Sequence, residues 1–166
     1  MQTYSTQIPG FTIRETTATD IPLIYDFISA LAEYEKLSHE VSATAADLNR
    51  WIFEEKLAEC AIGEYDGKPV GFVLFFKNFS TFLGKPGIYL EDLFVDPNYR
   101  GKGFGKALLV FLAGLAYDRG YGRFEWSVLD WNEPSIRFYK GIGAKFMEEW
   151  RIMRLSGSDL RSLAGR

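Results

Sequence analysis

The segment Tyr89–Lys106, YLEDLFVDPNYRGKGFGK, constrains this chain more than any other. It opens as an apolar run interrupted by two acids, Glu91 and Asp92. A turn follows at Asp96-Pro97-Asn98. Arg100 to Lys106 then packs three glycines and three cations into seven residues. From Gly103 to about Arg119, Leu108, Leu109, Leu112, Leu115 and Ala116 recur at helical spacing, and Gly120 stands where a helix would stop. A further run, Arg123–Leu129, reads as a strand. Strand, glycine loop, helix and strand in that order predict a crossover between parallel neighbours in a sheet, and so an α/β chain.

The loop has a chemical meaning. Glycine lets backbone approach a ligand closely and turn without steric cost. The helix it opens leaves N–H groups unpaired and carries partial positive charge at its start, which suits phosphate oxygens. Arg100, Lys102 and Lys106 add mobile positive charge. The spacing is G-x-G-x-G, so it is not the G-x-G-x-x-G of dinucleotide folds. Nor is it a P-loop, because Lys106 is followed by Ala107.

The rest of the chain reads as elements of one domain spanning 1–166, with its core at about 11–155. Phe11–Thr17 alternates as a strand. Thr19 or Asp20 caps a helix that has Pro22 near its start and Ile21, Ile24, Phe27, Ile28, Leu31 and Ala32 on one face. A second helix starts near Ala43, with Thr44 and Asp47 as its capping pair. Ala58–Tyr65 and Val70–Asn78 form a hairpin around Asp66-Gly67. A loop, STFLGKPG, leads to a strand at Ile88–Val95. A short helix covers Pro134–Lys140. Lys145–Met147 and Trp150–Leu155 read as a closing hairpin. The predicted order is β-α-α-β-β-β-α-β-α-β-β, a mixed sheet of about seven strands flanked by helices.

Composition removes several functions. With one cysteine, Cys60, and one histidine, His39, no disulfide framework within the chain, zinc cluster or Ser-His-Asp centre is expected, and no metal. The net charge of −3 leaves no basic footprint for nucleic acid. No apolar run approaches the ~18 residues of a membrane span, and no secretory signal is visible, so a cytoplasmic protein is expected.

Arg100-x-x-Gly103-x-Gly105 resembles the acetyl-CoA loop of the GNAT superfamily of N-acetyltransferases. YLEDLFVDPNYRGKGFGKALL and WNEPSIRFYKGIGA resemble its diamine (spermidine/spermine) acetyltransferase branch. The resemblance implies acetyl transfer from acetyl-CoA to an amine. In this reading Leu93, Phe94 and Val95 hold pantetheine through their backbone. Arg100, Gly101, Lys102, Gly103, Phe104, Gly105 and Lys106 hold the diphosphate, and Asn132 and Ser135 contact the coenzyme. Tyr139 protonates the departing thiolate, and Glu91 serves as base through water or as an electrostatic attractor of the ammonium. Asn132 is also a good helix cap in its own right. Asp26, Phe27, Glu91, Asp92, Glu125, Trp126 and Ser127 line the acceptor channel.

Around Glu125 and Trp126 the chain departs from the diamine branch, which makes a shorter diamine, a lysine analogue such as thialysine or another ω-amino acid the expected acceptor. A homodimer follows from the same resemblance. Protein lysine or N-terminal acetylation, and a non-catalytic coenzyme A sensor, are the alternatives.

Overall fold

The computed structural model describes residues 1–166, which fall into two compact units, Met1–Ser127 and Val128–Arg166. The first is built on a six-stranded sheet in sequential order: β1 (Thr3–Ser5), β2 (Phe11–Glu15), β3 (Glu59–Tyr65), β4 (Lys68–Ser80), β5 (Lys85–Val95) and β6 (Arg123–Trp126). Neighbours are antiparallel except β5 and β6, which are parallel and joined through helix α3 (Phe104–Asp118). The β3–β4 turn has positive φ at Asp66 (50°) and Gly67 (76°), the conformation a two-residue hairpin turn needs.

Alternation assigns the two sheet faces. Ile62, Phe72 and Phe94 turn toward helix α1 (Ile21–Tyr34) and pack with Ile24 and Phe27, and the Phe27 and Phe72 rings stack at 5.4 Å. Phe11 and Ile13 turn the other way, beneath α3. There Phe11 stacks on Phe104 at 4.2 Å, and Gly63 leaves room for the Phe11 ring, which a Cβ would meet at 2.7 Å. Each such large apolar side chain contributes about 1.5–3 kcal/mol on burial. Arg14 ties β2 to the start of α1 and to β3, pairing with Asp20 at 2.8 Å and with Glu64 at 2.7 Å.

The ladder between β4 and β5 has one irregularity, and it lies at the two acids. Leu74 pairs with Asp92 but Phe75 pairs with Leu90, so Glu91 has no partner on β4. The extra residue is a β-bulge, a device that re-aims side chains beside functional sites.

Four elements differ from the sequence-based expectation. β1 is an additional three-residue edge strand, held by Tyr4 packing on Phe111 and donating to Glu15. The segment STFLGKPG is half strand, because β4 runs to Ser80 and β5 begins at Lys85, leaving a four-residue turn. The second helix, α2 (Ala45–Leu48), is capped by Thr44 and Asp47 as expected, but passes at once into a π-helical turn, Asn49–Glu54. The sheet has six strands and not seven, since Lys145–Met147 and Trp150–Leu155 form no strands.

In the second unit, α4 (Glu133–Gly141) is followed by irregular chain and then α5 (Gly157–Leu163). Residues 145–155 carry a strand-like pattern, but a strand needs a neighbour for its N–H and C=O groups. Here a turn closes from Trp150 N–H to the Met147 carbonyl, and Phe146, Trp150, Ile152 and Met153 are all exposed.

Candidate active site

Helix α3 begins at a left-handed residue, Gly103, with φ of 86°, and Gly101 before it has φ of 78°. Residues with a side chain adopt this region only under strain, so the loop's path depends on these glycines. Ala107 N–H makes the first i→i−4 bond, to the Gly103 carbonyl. The N–H groups of Phe104, Gly105 and Lys106 therefore have no carbonyl one turn back and point outward at the positive end of a 15-residue helix. A Cβ at Gly101 would meet nothing within 4 Å, so open space lies beside the loop.

Two of the three loop cations are less mobile than the sequence suggests. Arg100 donates Nε–H to the Val95 carbonyl at 2.9 Å, and its guanidinium lies 4.5 Å over the Tyr34 ring at the end of α1. Lys102 Nζ lies 4.9 Å from the Tyr65 ring and 5.5 Å from that of Tyr99. Planar guanidinium and aromatic rings stack well, and Arg100 keeps its outer N–H groups for an anion.

Next to the loop, β5 and β6 part. β6 pairs with β5 only from Gly87 to Leu90 and ends at Trp126, short of the predicted Leu129. From Glu91 to Val95, β5 therefore has no strand on its β6 side; Leu93 and Val95 turn their backbone groups to that side, where the Val95 carbonyl already accepts from Arg100, while the alternating Phe94 faces β4. That edge runs directly into the glycine-rich loop. An elongated ligand with amide groups behind a diphosphate fits this combination, because a sheet edge accepts a chain of alternating donors and acceptors.

The two acids of β5 are treated differently. Glu91 is exposed at the bulge. Asp92 lies on the α1 face, in a cross-strand row with Leu74 and Cys60. Burial, chiefly, and the nearby Glu91 and Glu35 carboxylates push its carboxyl up to about 7. No cation offsets this, so the group exchanges a proton near neutral pH. Burial also raises the Glu35 carboxyl, just past the end of α1. The Cys60 thiol is 7% exposed and pushed up by burial and by Asp92, which leaves it unreactive.

The other expected acceptor residues divide. Asp26 is exposed on α1, whereas Phe27 is 8% exposed and sits in the core between Phe72 and Phe94. Glu125 is occupied: Arg123 Nε lies 2.7 Å from its Oε2, which also accepts from Asn78 Nδ2 at 2.9 Å. Trp126 packs on Phe124 at 4.9 Å. Ser127 Oγ lies 2.7 Å from the Tyr89 hydroxyl. Asn78, Tyr89 and Arg123 join the site without having been expected there. Asn78 and Arg123 gave no motif; they meet only because their strands are paired through β5.

In the second unit, Asn132 is 5% exposed and accepts from the Ser135 N–H at 3.3 Å, so it does cap α4. Ser135 and Tyr139 are half-buried one turn apart on that helix, and the Tyr139 ring lies 5.3 Å from that of Phe138.

Comparison with known proteins gives a consistent result. Residues 24–144 match the acetyltransferase (GNAT) family. An L-ornithine N5-acetyltransferase from Arabidopsis thaliana is 34% identical, the match covering 91% of this chain and 86% of that protein. A thialysine N-epsilon-acetyltransferase from Sus scrofa is 37% identical over 93% of this chain and 97% of its own. Among solved structures, an integron cassette protein from the mobile metagenome of V. cholerae superposes with a TM-score of 0.79 at 27% identity, covering 95% of this chain and 99% of that one.

Proposed function

Since this chain belongs to the GNAT family of acetyltransferases and is an enzyme that acetylates amines, we propose that its donor is acetyl-CoA and its acceptor a small diamine or diamino acid. The observation that carries this reading is the unpaired β5 edge from Glu91 to Val95, continuous with the glycine loop and bordered by a half-buried carboxyl at Asp92. Relatives that acetylate ornithine and thialysine support the acceptor class.

Acetyl-CoA, when bound, supplies an activated acetyl thioester. The N–H groups of residues 104–106, with Arg100, Lys102 and Lys106, hold the diphosphate, and Gly101 and Gly103 give it room. The edge at Leu93 and Val95 receives the pantetheine amides, and the Val95 N–H polarises the thioester carbonyl. Asn132 and Ser135 contact the coenzyme from α4.

An amine attacks only when neutral, so a group must take its proton. Asp92 is the carboxyl whose environment sets it near 7, the range in which a general base is most effective, so proton acceptance is assigned to Asp92. Glu91 then draws the ammonium electrostatically. Tyr139 returns a proton to the departing sulfur.

The enzyme works as a homodimer, and exposed apolar residues such as Phe82 and Trp150 are available for association. No helix is long and apolar enough to cross a membrane, and the cytoplasm is the compartment we propose.

A thiol-release assay with acetyl-CoA and a panel of putrescine, spermidine, ornithine, lysine, thialysine and a lysine peptide tests the reading. Release with one or more small amines is expected. Release with the peptide alone would reject the small-acceptor assignment.

A further inference from the structure

Resting on the small-amine reading above, we propose that Arg123 and Glu125 of β6, with Asn78 of β4, form a subsite for the α-carboxylate and α-ammonium of an α,ω-diamino acid. The physiological acceptor class is then narrower than diamines in general.

Pairing places the three residues together on the acceptor side of the sheet. Leu74, Phe76 and Asn78 are alternate residues of β4 and share a face. Across the ladder they meet Asp92, Tyr89 and Gly87, and Tyr89 and Gly87 in turn meet Glu125 and Arg123. The bulge at Glu91 is what brings Tyr89 and Asp92, three residues apart, to one face. A Cβ at Gly87 would lie 2.6 Å from Asn78 Oδ1 and 2.7 Å from Arg123 Cγ, so glycine there permits the cluster to close.

The cluster has the chemistry of a zwitterion site. Its cation and anion lie 2.7 Å apart, with side chains 33% and 36% exposed, so a ligand reaches both. The contact is an ion pair lacking hydrogen-bond alignment, and Arg123 Nε makes no directed bond. Arg123 donates only one bond within the chain, to the Phe79 carbonyl at 3.3 Å, which leaves its fork for a carboxylate. Asn78 Oδ1 is buried without a donor. The subsite thus holds donors and acceptors that the fold itself does not use. Because the bulge takes up one residue, Asp92 lies about 7 Å farther along β5 than Tyr89, the neighbour of Glu125, the span from Phe76 to Leu74 on β4. A side chain of three or four methylenes, with Asp92 and Arg123 reaching inward, spans that interval and sets the ω-amine at Asp92.

The test compares kcat/KM for ornithine, for 5-aminovalerate, which lacks the α-amine, and for putrescine, which lacks the carboxylate. The wild type is expected to prefer ornithine. Arg123→Gln lowers kcat/KM for ornithine and 5-aminovalerate roughly 10- to 100-fold relative to putrescine, the range for a lost charged hydrogen bond. Arg123→Lys recovers part of that preference. Glu125→Gln lowers ornithine relative to 5-aminovalerate. A wild type that prefers putrescine, or an equal loss for all three acceptors in both Gln variants, overturns the subsite while leaving the acetyltransferase reading intact. Release with none of the three overturns both. If Arg123→Gln does not fold, the wild-type preference and Glu125→Gln decide.

Discussion

Two carboxylates on one face of the sheet meet opposite environments. Asp92 is half-buried, with acids for neighbours and no cation, and its carboxyl is pushed up to about 7. Glu125, across β5 and farther along it, has Arg123 at 2.7 Å and the Asn78 amide at 2.9 Å. The first has no partner to neutralise it, whereas the second is already paired. In the proposed function the contrast separates two tasks of acetyl transfer: deprotonating the attacking amine, and seating the rest of the acceptor. The bulge leaves Glu91 exposed and turns Asp92 inward.

The largest expected effect comes from removing the proton acceptor. Asp92→Asn lowers kcat by roughly 10²-fold or more, the scale of general acid–base catalysis, in a steady-state assay at pH 7.5. Glu125→Gln at saturating acceptor has a smaller effect on kcat and a larger one on KM. Equal kcat losses in the two variants would erase the distinction. Tyr139→Phe is also expected to lower kcat about 10²-fold, because no other phenol is assigned to the thiolate.

Stability should separate the same two sites. The folded-state pKa of Asp92 lies above its unfolded value, so the folded protein binds the extra proton. Its contribution is present at low pH and lost as pH rises from the unfolded value of 3.8 through about 7. Between pH 5 and pH 8 the wild type loses on the order of 2–3 kcal/mol that Asp92→Asn does not lose, measurable by urea unfolding at each pH. Parallel curves for the two proteins would contradict the burial of this carboxyl.

The smallest effect concerns the donor loop. Tyr34→Leu removes the ring under Arg100, 4.5 Å from its guanidinium. An exposed cation–π contact of about 0.5–1 kcal/mol corresponds to a roughly 2- to 5-fold rise in the Kd for coenzyme A by calorimetry. Unchanged affinity would mean that Tyr34 does not orient Arg100 for the diphosphate.

Much of this architecture was legible in the sequence because it is local. The glycine spacing from Arg100 to Lys106, the Asp66-Gly67 turn, the Thr44–Asp47 cap and the apolar stripes of α1 and α3 each arise from neighbours in the chain. What was not legible depends on pairing. The bulge at Glu91 is a property of two strands together. The meeting of Asn78 with Glu125 needs β4, β5 and β6 in register. The expected hairpin at 145–155 is the converse case: its pattern is strand-like, yet these residues pair with no other segment in strand geometry. Phe27 was legible by its helical spacing on the apolar face of α1, and in the structure it stacks on Phe72 in the core.

The central claim is that Asp92 accepts the proton, and the pH dependence of kcat/KM in wild type and Asp92→Asn tests it most directly. The account predicts a limb that rises through about pH 7 in the wild type as Asp92 ionises, absent from the low residual activity of the variant. A variant that keeps the same limb would contradict it and assign proton transfer to another group.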